Sequence, residues 1–274
     1  MTELIDTHAH LQEREFAADV DAVIERALAA GVTSLVLPAV DLETARAGLE
    51  IARRHEGVFA TAGVHPHEAS GLGEEAVGEL EALLGEPKVV AVGEIGLDFF
   101  RMHSPVEAQM GALEAMLGLA ERKAMPVVIH CRDAWEAMAE QIEPWARRVR
   151  PMFGGRPLGV MHYFTGTLDE ALRYIELGFV ISIHTSVTHP RQAALRGVVA
   201  RLPLESLVVE TDSPYGAPQS QRGKRNEPAY VIEAAKQIAL LHDVSLDYIG
   251  EVTSANARRL FSLPVVADVT GGHG

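Results

Sequence analysis

The sequence predicts an α/β protein folded as a single-domain (β/α)8 TIM barrel, and three observations carry that expectation. Short apolar, β-branched runs alternate with amphipathic stretches along the chain. About eight such pairs fit a chain of 274 residues, the usual size of one barrel. Histidines and carboxylates stand at the C-terminal ends of the runs, where barrels of this type build their sites. A doubly wound open sheet is the competing arrangement.

The expected strands cover residues 4–8, 34–38, 59–64, 89–94, 127–130, 158–162, 179–183 and 207–211. Helical patterns between them include 16–30, 42–54, 107–123 and 134–149. There apolar residues recur at spacings of three and four with charges opposite. Gly31, Gly57 and Gly178 stand where helices should stop. The longest loop candidates are 150–156 and 213–226, and a last helix spans about 245–261. The barrel is expected over 1–264, with 265–274, rich in glycine, as a disordered tail.

Composition narrows the function. A hydrophobic fraction of 47% and a charged fraction of 23% suit a globular core. The single cysteine, Cys131, excludes an intrachain disulfide. With no basic n-region or long apolar run at the start, a cytoplasmic location is expected, with no membrane partner and no obligate protein partner. The net charge of −14 argues against a protein that wraps duplex DNA, which neutralises many phosphates with Lys and Arg. A polyanionic substrate would meet few, local contacts, with metal ions supplying positive potential.

The rim residues are His8 and His10 after the first strand, His65 after the third, Glu94, His130 and His162 after the next three, and Asp212 after the eighth. Residues two apart on a strand share a face, so His8 and His10 can reach one ion. Asp6 is expected on that face, one layer deeper, as a partner that orients a histidine. Arg132 shares the phase of His130, and Cys131 has the opposite one. A lone strand histidine is usually a core or loop residue; recurrence at equivalent positions favours a metal role. His55, His242 and His273 are expected on the surface.

The blocks IDTHAHL, AGVHP, GEIGLDFF, VIHCRDA, MHYFTG, ETDSPY, RGKRNEP and SANARRLF occur in that order. Together they resemble the TatD family of metal-dependent deoxyribonucleases, within the amidohydrolase superfamily. The resemblance implies two divalent metal ions. His8, His10 and Asp212 would hold one, His130 and His162 the other, and Glu94 would bridge them. His65 would line the substrate site. Departures from the family pattern include Ala9, Gln12, Phe99, Phe100 and Tyr163. His184 stands where a small residue is expected, and either reaches the mouth of the site or packs in a loop.

Mixed nitrogen and carboxylate ligands suit Zn2+ or Mn2+, whereas the resemblance implies Mg2+. The chemistry expected is hydrolysis of DNA phosphodiesters, at ends or on single strands, with ions roughly 3.5–4 Å apart activating a water. Glu94 would set the spacing and Asp212 would take the water's proton. His65, Arg132, Lys224 and Arg225 are the candidates to hold phosphate, the last two in the loop Arg222-Gly223-Lys224-Arg225. Two other functions fit the same pattern. One is ester or amide hydrolysis, such as deacylation of D-aminoacyl-tRNA. The other is a non-catalytic barrel that binds metal or nucleic acid.

Overall fold

The computed structural model describes residues 2–264, so the tail expected at 265–274 lies outside the described residues. Eight strands are present: β1 (Leu4–Asp6), β2 (Val32–Leu37), β3 (Val58–Ala62), β4 (Val89–Asp98), β5 (Val127–Arg132), β6 (Gly159–Met161), β7 (Phe179–His184) and β8 (Leu207–Glu210). The helices are α1 (Val20–Ala29), α2 (Leu42–Arg54), α3 (Glu74–Leu83), α4 (Val106–Lys123), α5 (Trp135–Val149), α6 (Leu168–Glu176), α7 (Ala193–Val199), α8 (Val231–His242) and α9 (Leu246–Phe261). No helix among the described residues is long and apolar enough to cross a membrane.

The strands pair in chain order, and each pair is parallel. The last meets the first just past their ends. Thr7 N–H donates to the Val209 carbonyl (3.1 Å), Asp212 N–H to that of His8 (2.8 Å) and His10 N–H to that of Ser213 (2.7 Å). Ala9 and Ser213 form a parallel bridge. The sheet therefore closes on itself, and the open-sheet alternative is excluded.

Each strand sends one apolar side chain into the lumen: Ile5, Val36, Phe59, Ala91, Val128, Val160, Val180 and Val208. Ala257, Leu260 and Phe261 of α9, with Leu263, complete that cluster and plug one end of the cylinder. Strand residues of opposite phase, such as Leu35, Leu37, Val127, Ile129 and Val209, pack outward with the helices. Local signals start several helices where expected. Asp41 and Thr44 form a capping box before α2, as Thr167 and Glu170 do before α6. Residues 14–16 form a 3-10 turn and α1 begins only at Val20, shorter than the 16–30 pattern suggests.

Strand β4 departs most from the expected alternation. It runs on to Asp98, and its pairing with β5 shifts register between Val92 and Ile95. Ala91 faces the lumen, so a strict period of two would turn Glu94 away from it. The shift turns it back, as a bulge re-aims a side chain. Gly96, at φ +151°, makes the close approach possible. A Cβ there would fall 1.9 Å from the His130 carbonyl oxygen.

Candidate metal centre

Glu94 lies at the middle of the rim, and its two oxygens divide the histidines into two sets. Around Oε1 stand His130 Nδ1 (2.9 Å), His65 Nε2 (3.6 Å) and His162 Nε2 (3.7 Å). Around Oε2 stand His8 Nε2 (3.3 Å) and His10 Nε2 (3.9 Å). Asp212 Oδ1 approaches His10 (3.3 Å) and His8 (3.7 Å) from the other side. Three triads have donor atoms within 4.8 Å of one another: His8, His10 and Asp212; His8, Glu94 and His162; His65, Glu94 and His130.

The donor set fits divalent cations. His8 Nε2 and His10 Nε2 face each other at 3.2 Å in a buried site, a spacing normal for two ligands of one ion. The buried Glu94 and the half-buried Asp212 face the same space, and the groups that approach their carboxylates there are imidazoles. Buried charge needs such a partner. Burial alone would raise Glu94, yet His162, His65 and His8 hold its carboxyl well below the usual range. Asp212 is likewise held low, burial being outweighed by the His10 hydrogen bond and His162.

Carboxylates behind the histidines fix their orientation. Glu210 Oε1 lies 2.9 Å from His162 Nδ1 and accepts from Tyr163 N–H (2.7 Å), leaving His162 Nε2 turned to Glu94. Burial opposes charge on His162, but Glu210 and Glu94 push it up to about 10. Asp98 Oδ2 meets His130 Nε2 (3.1 Å) and His67 Nε2 (3.0 Å). Such outer carboxylates set ring orientation and ligand basicity.

The structure brings His8, His10, His65, Glu94, His130, His162 and Asp212 into one cluster, and the phosphate-holding candidates do not behave alike. His65 is buried within reach of Glu94, among the candidate ligands rather than outside them. Arg132 is exposed, with its guanidinium carbon 3.9 Å over the Phe100 ring. Lys224 is exposed and donates to Gln221 Oε1. Arg225 departs from the expected phosphate role. Its guanidinium donates to both Asp19 oxygens (2.8 and 2.7 Å), to Glu227 (2.9 Å) and to the Glu15 carbonyl (2.7 Å), and lies over Phe16. Two carboxylates already neutralise it.

Asp6 also differs from expectation. β1 ends there, and the lumen residues are Ile5 and Thr7, the latter reaching Ser182 Oγ (3.5 Å). Asp6 instead accepts from the backbone amides of His8 (3.2 Å) and Thr211 (3.0 Å) and from the Thr211 hydroxyl (2.6 Å). It ties the two chain segments that carry His8 and Asp212. His184 takes the loop-packing alternative. It is buried and stacked on Tyr163, and its Nε2 lies 2.5 Å from the Thr211 carbonyl. Burial pushes it down to about 4, so it donates there as a neutral ring. Cys131 is buried and its thiol is pushed up, with no nucleophilic character.

Asp98, His67 and Asn226 were not among the residues singled out from sequence. Asp98 lies in GEIGLDFF and Asn226 in RGKRNEP, so their signal was the motif and not periodicity. The buried Asn226 amide donates to the carbonyls of Thr211 (2.7 Å) and Tyr215 (2.7 Å) and to Thr185 Oγ1 (3.2 Å), fastening the loop that carries Asp212.

A closed parallel barrel with imidazoles and carboxylates converging on one rim is the arrangement on which metal-dependent hydrolases are built. Comparison with known proteins narrows the class. The profile of the family described as TatD related DNase matches residues 5–262, and the chain belongs to that family. It is 37% identical over 265 residues to the 3'-5' ssDNA/RNA exonuclease TatD of Enterobacter lignolyticus, covering 95% of this chain and 99% of the relative. It is 35% identical to the metal-dependent hydrolase YabD of Bacillus subtilis, covering 95% and 99%. Among solved structures, YJJV, a TatD homolog from Escherichia coli, superposes with a TM-score of 0.87 at 32% identity, covering 95% of this chain and 98% of that one.

Proposed function

We propose that the chain is a divalent-metal-dependent phosphodiesterase that removes nucleotides from an end of single-stranded DNA or RNA, by the 3'-5' polarity of its named relatives. The observation that carries this reading is the division of five imidazoles between the two oxygens of Glu94. His8, His10 and Asp212 would hold one cation and His130, His162 and the adjacent His65 a second, with Glu94 within reach of both groups. Mn2+, Zn2+ and Mg2+ all suit this mixed donor set in charge. When bound, such cations would supply a water nucleophilic near neutral pH and positive charge beside the phosphoryl group.

The chain's own residues do the rest. Asp212, held ionised, accepts the proton of the attacking water at its carboxylate. Glu210 and Asp98 keep His162 and His130 turned to Glu94. Arg132 and Lys224, exposed cations of the mouth and of the RGKRNEP loop, contact phosphate.

End-labelled single-stranded DNA and RNA, blocked or open at the 3′ end, incubated with Mn2+-loaded protein, test the reading. Stepwise shortening of the open strands alone supports it. Release of amino acid from D-aminoacyl-tRNA without shortening of either strand would replace it with ester hydrolysis.

A further inference from the structure

Large apolar side chains open to solvent are few among the described residues, and two of the aromatic ones are fastened to the candidate metal centre. Phe100 keeps 59% of its surface exposed and Tyr215 51%. Phe100 N–H donates to Asp98 Oδ1 (3.0 Å), while Oδ2 of the same carboxylate meets His130. Tyr215 N–H donates to the Asp212 carbonyl (2.9 Å), its own carbonyl accepts from Asn226, and its ring centre lies 6.2 Å from that of His10. The two rings are thus tied to the two different donor sets. Arg132 covers one face of Phe100 at 3.9 Å, which leaves a cation beside an open ring.

We propose that Phe100 and Tyr215 form a stacking subsite for the unpaired bases on either side of the bond to be cut, with Arg132 backing Phe100. The inference rests on the nucleic-acid reading above and deepens it. Exposed aromatic faces cost solvation and add nothing to the core, yet here the backbone of each is held by a group of the site. A base offers a π-face whatever its identity, so the subsite tolerates any sequence. A base within a duplex has its faces covered by its neighbours and cannot use it. Selection for single strands would then come from these rings, on a protein too acidic to grip a phosphate backbone by charge alone.

The test uses the Mn2+-loaded full chain with an oligodeoxynucleotide carrying 2-aminopurine at its 3′ end and uncleavable methylphosphonate linkages at its 3′-terminal bonds. A second oligonucleotide of equal length and the same linkages has abasic sites throughout. With the wild type, the 2-aminopurine emission should be quenched on binding. Phe100→Ala should abolish the quenching and weaken binding of the base-bearing strand about tenfold, with the abasic strand unchanged. Phe100→Tyr should restore both. Tyr215→Ala should weaken base-bearing strands in the same selective way. Equal loss of affinity for both strands, or none for either, would overturn the subsite while leaving single-strand hydrolysis by the wild type intact. If wild-type protein neither binds these strands nor shortens unmodified ones with Mn2+, the nucleic-acid reading fails, and this inference with it.

Discussion

At the scale of single residues, Glu94 is the position on which the site turns. Its removal takes the carboxylate from two of the three candidate triads at once. Glu94→Ala should lower hydrolysis by about a thousandfold or more, the rate equivalent of several kcal/mol of lost charge stabilisation. The far-ultraviolet circular dichroism spectrum should stay that of the wild type. A fully active variant would remove the bridging role. The ligand candidates were legible because histidines and acids interrupt apolar runs at matching positions. Their supporting partners were not. A period of two points Asp6 at an imidazole, but β1 ends at Asp6 and the alternation does not continue past it. The charge of Arg225 is visible in sequence and points to phosphate, whereas its neutralisation is not visible there. Asp19 lies more than two hundred residues away.

At the scale of elements, the register shift in β4 makes the site possible, and Gly96 makes the shift possible. Gly96→Ala combines a positive φ with a Cβ aimed at the backbone of β5. It should destabilise the fold by at least ~2 kcal/mol, read from urea unfolding, and lower metal affinity with it. Unchanged stability would mean that β4 and β5 approach less closely than described. The loop that follows β8 is buttressed by Asp19, Arg26, Arg225 and Glu227. Arg225, and then Arg26, hold Asp19 at about 2 against an ordinary 3.8. A depressed carboxyl contributes fully above its unfolded value and loses that contribution as pH falls toward the folded one. The gap in Tm between wild type and Asp19→Asn should therefore be small and constant from near pH 7 to about pH 5. It should shrink between about pH 4 and pH 2. A gap that widens with acid would contradict this network. The strands were legible to within a few residues from apolar runs, whereas the extension of β4 to Asp98 was hidden. A bulge breaks the very alternation that identifies a strand.

At the scale of the whole molecule, the negative charge sets how substrate is gripped. With formal charge −14, only a few phosphates can be neutralised by side chains such as Arg132 and Lys224. Binding of single strands should fall with salt with a log–log slope of about −2, as expected for about three phosphate contacts. A slope of −5 or steeper would require several more phosphate contacts than Arg132, Lys224 and their like provide. The closed barrel was legible from the count and order of elements. Its seam was not, because the hydrogen bonds that close it lie beyond the assigned ends of β1 and β8.

That seam has a consequence for biosynthesis. His8 and His10 leave the ribosome some two hundred positions before Asp212. Until then the first histidine pair has no carboxylate from the far side, and no nascent or prematurely ended chain can assemble the hydrolytic centre. Latency during translation is thus written into the order of the strands.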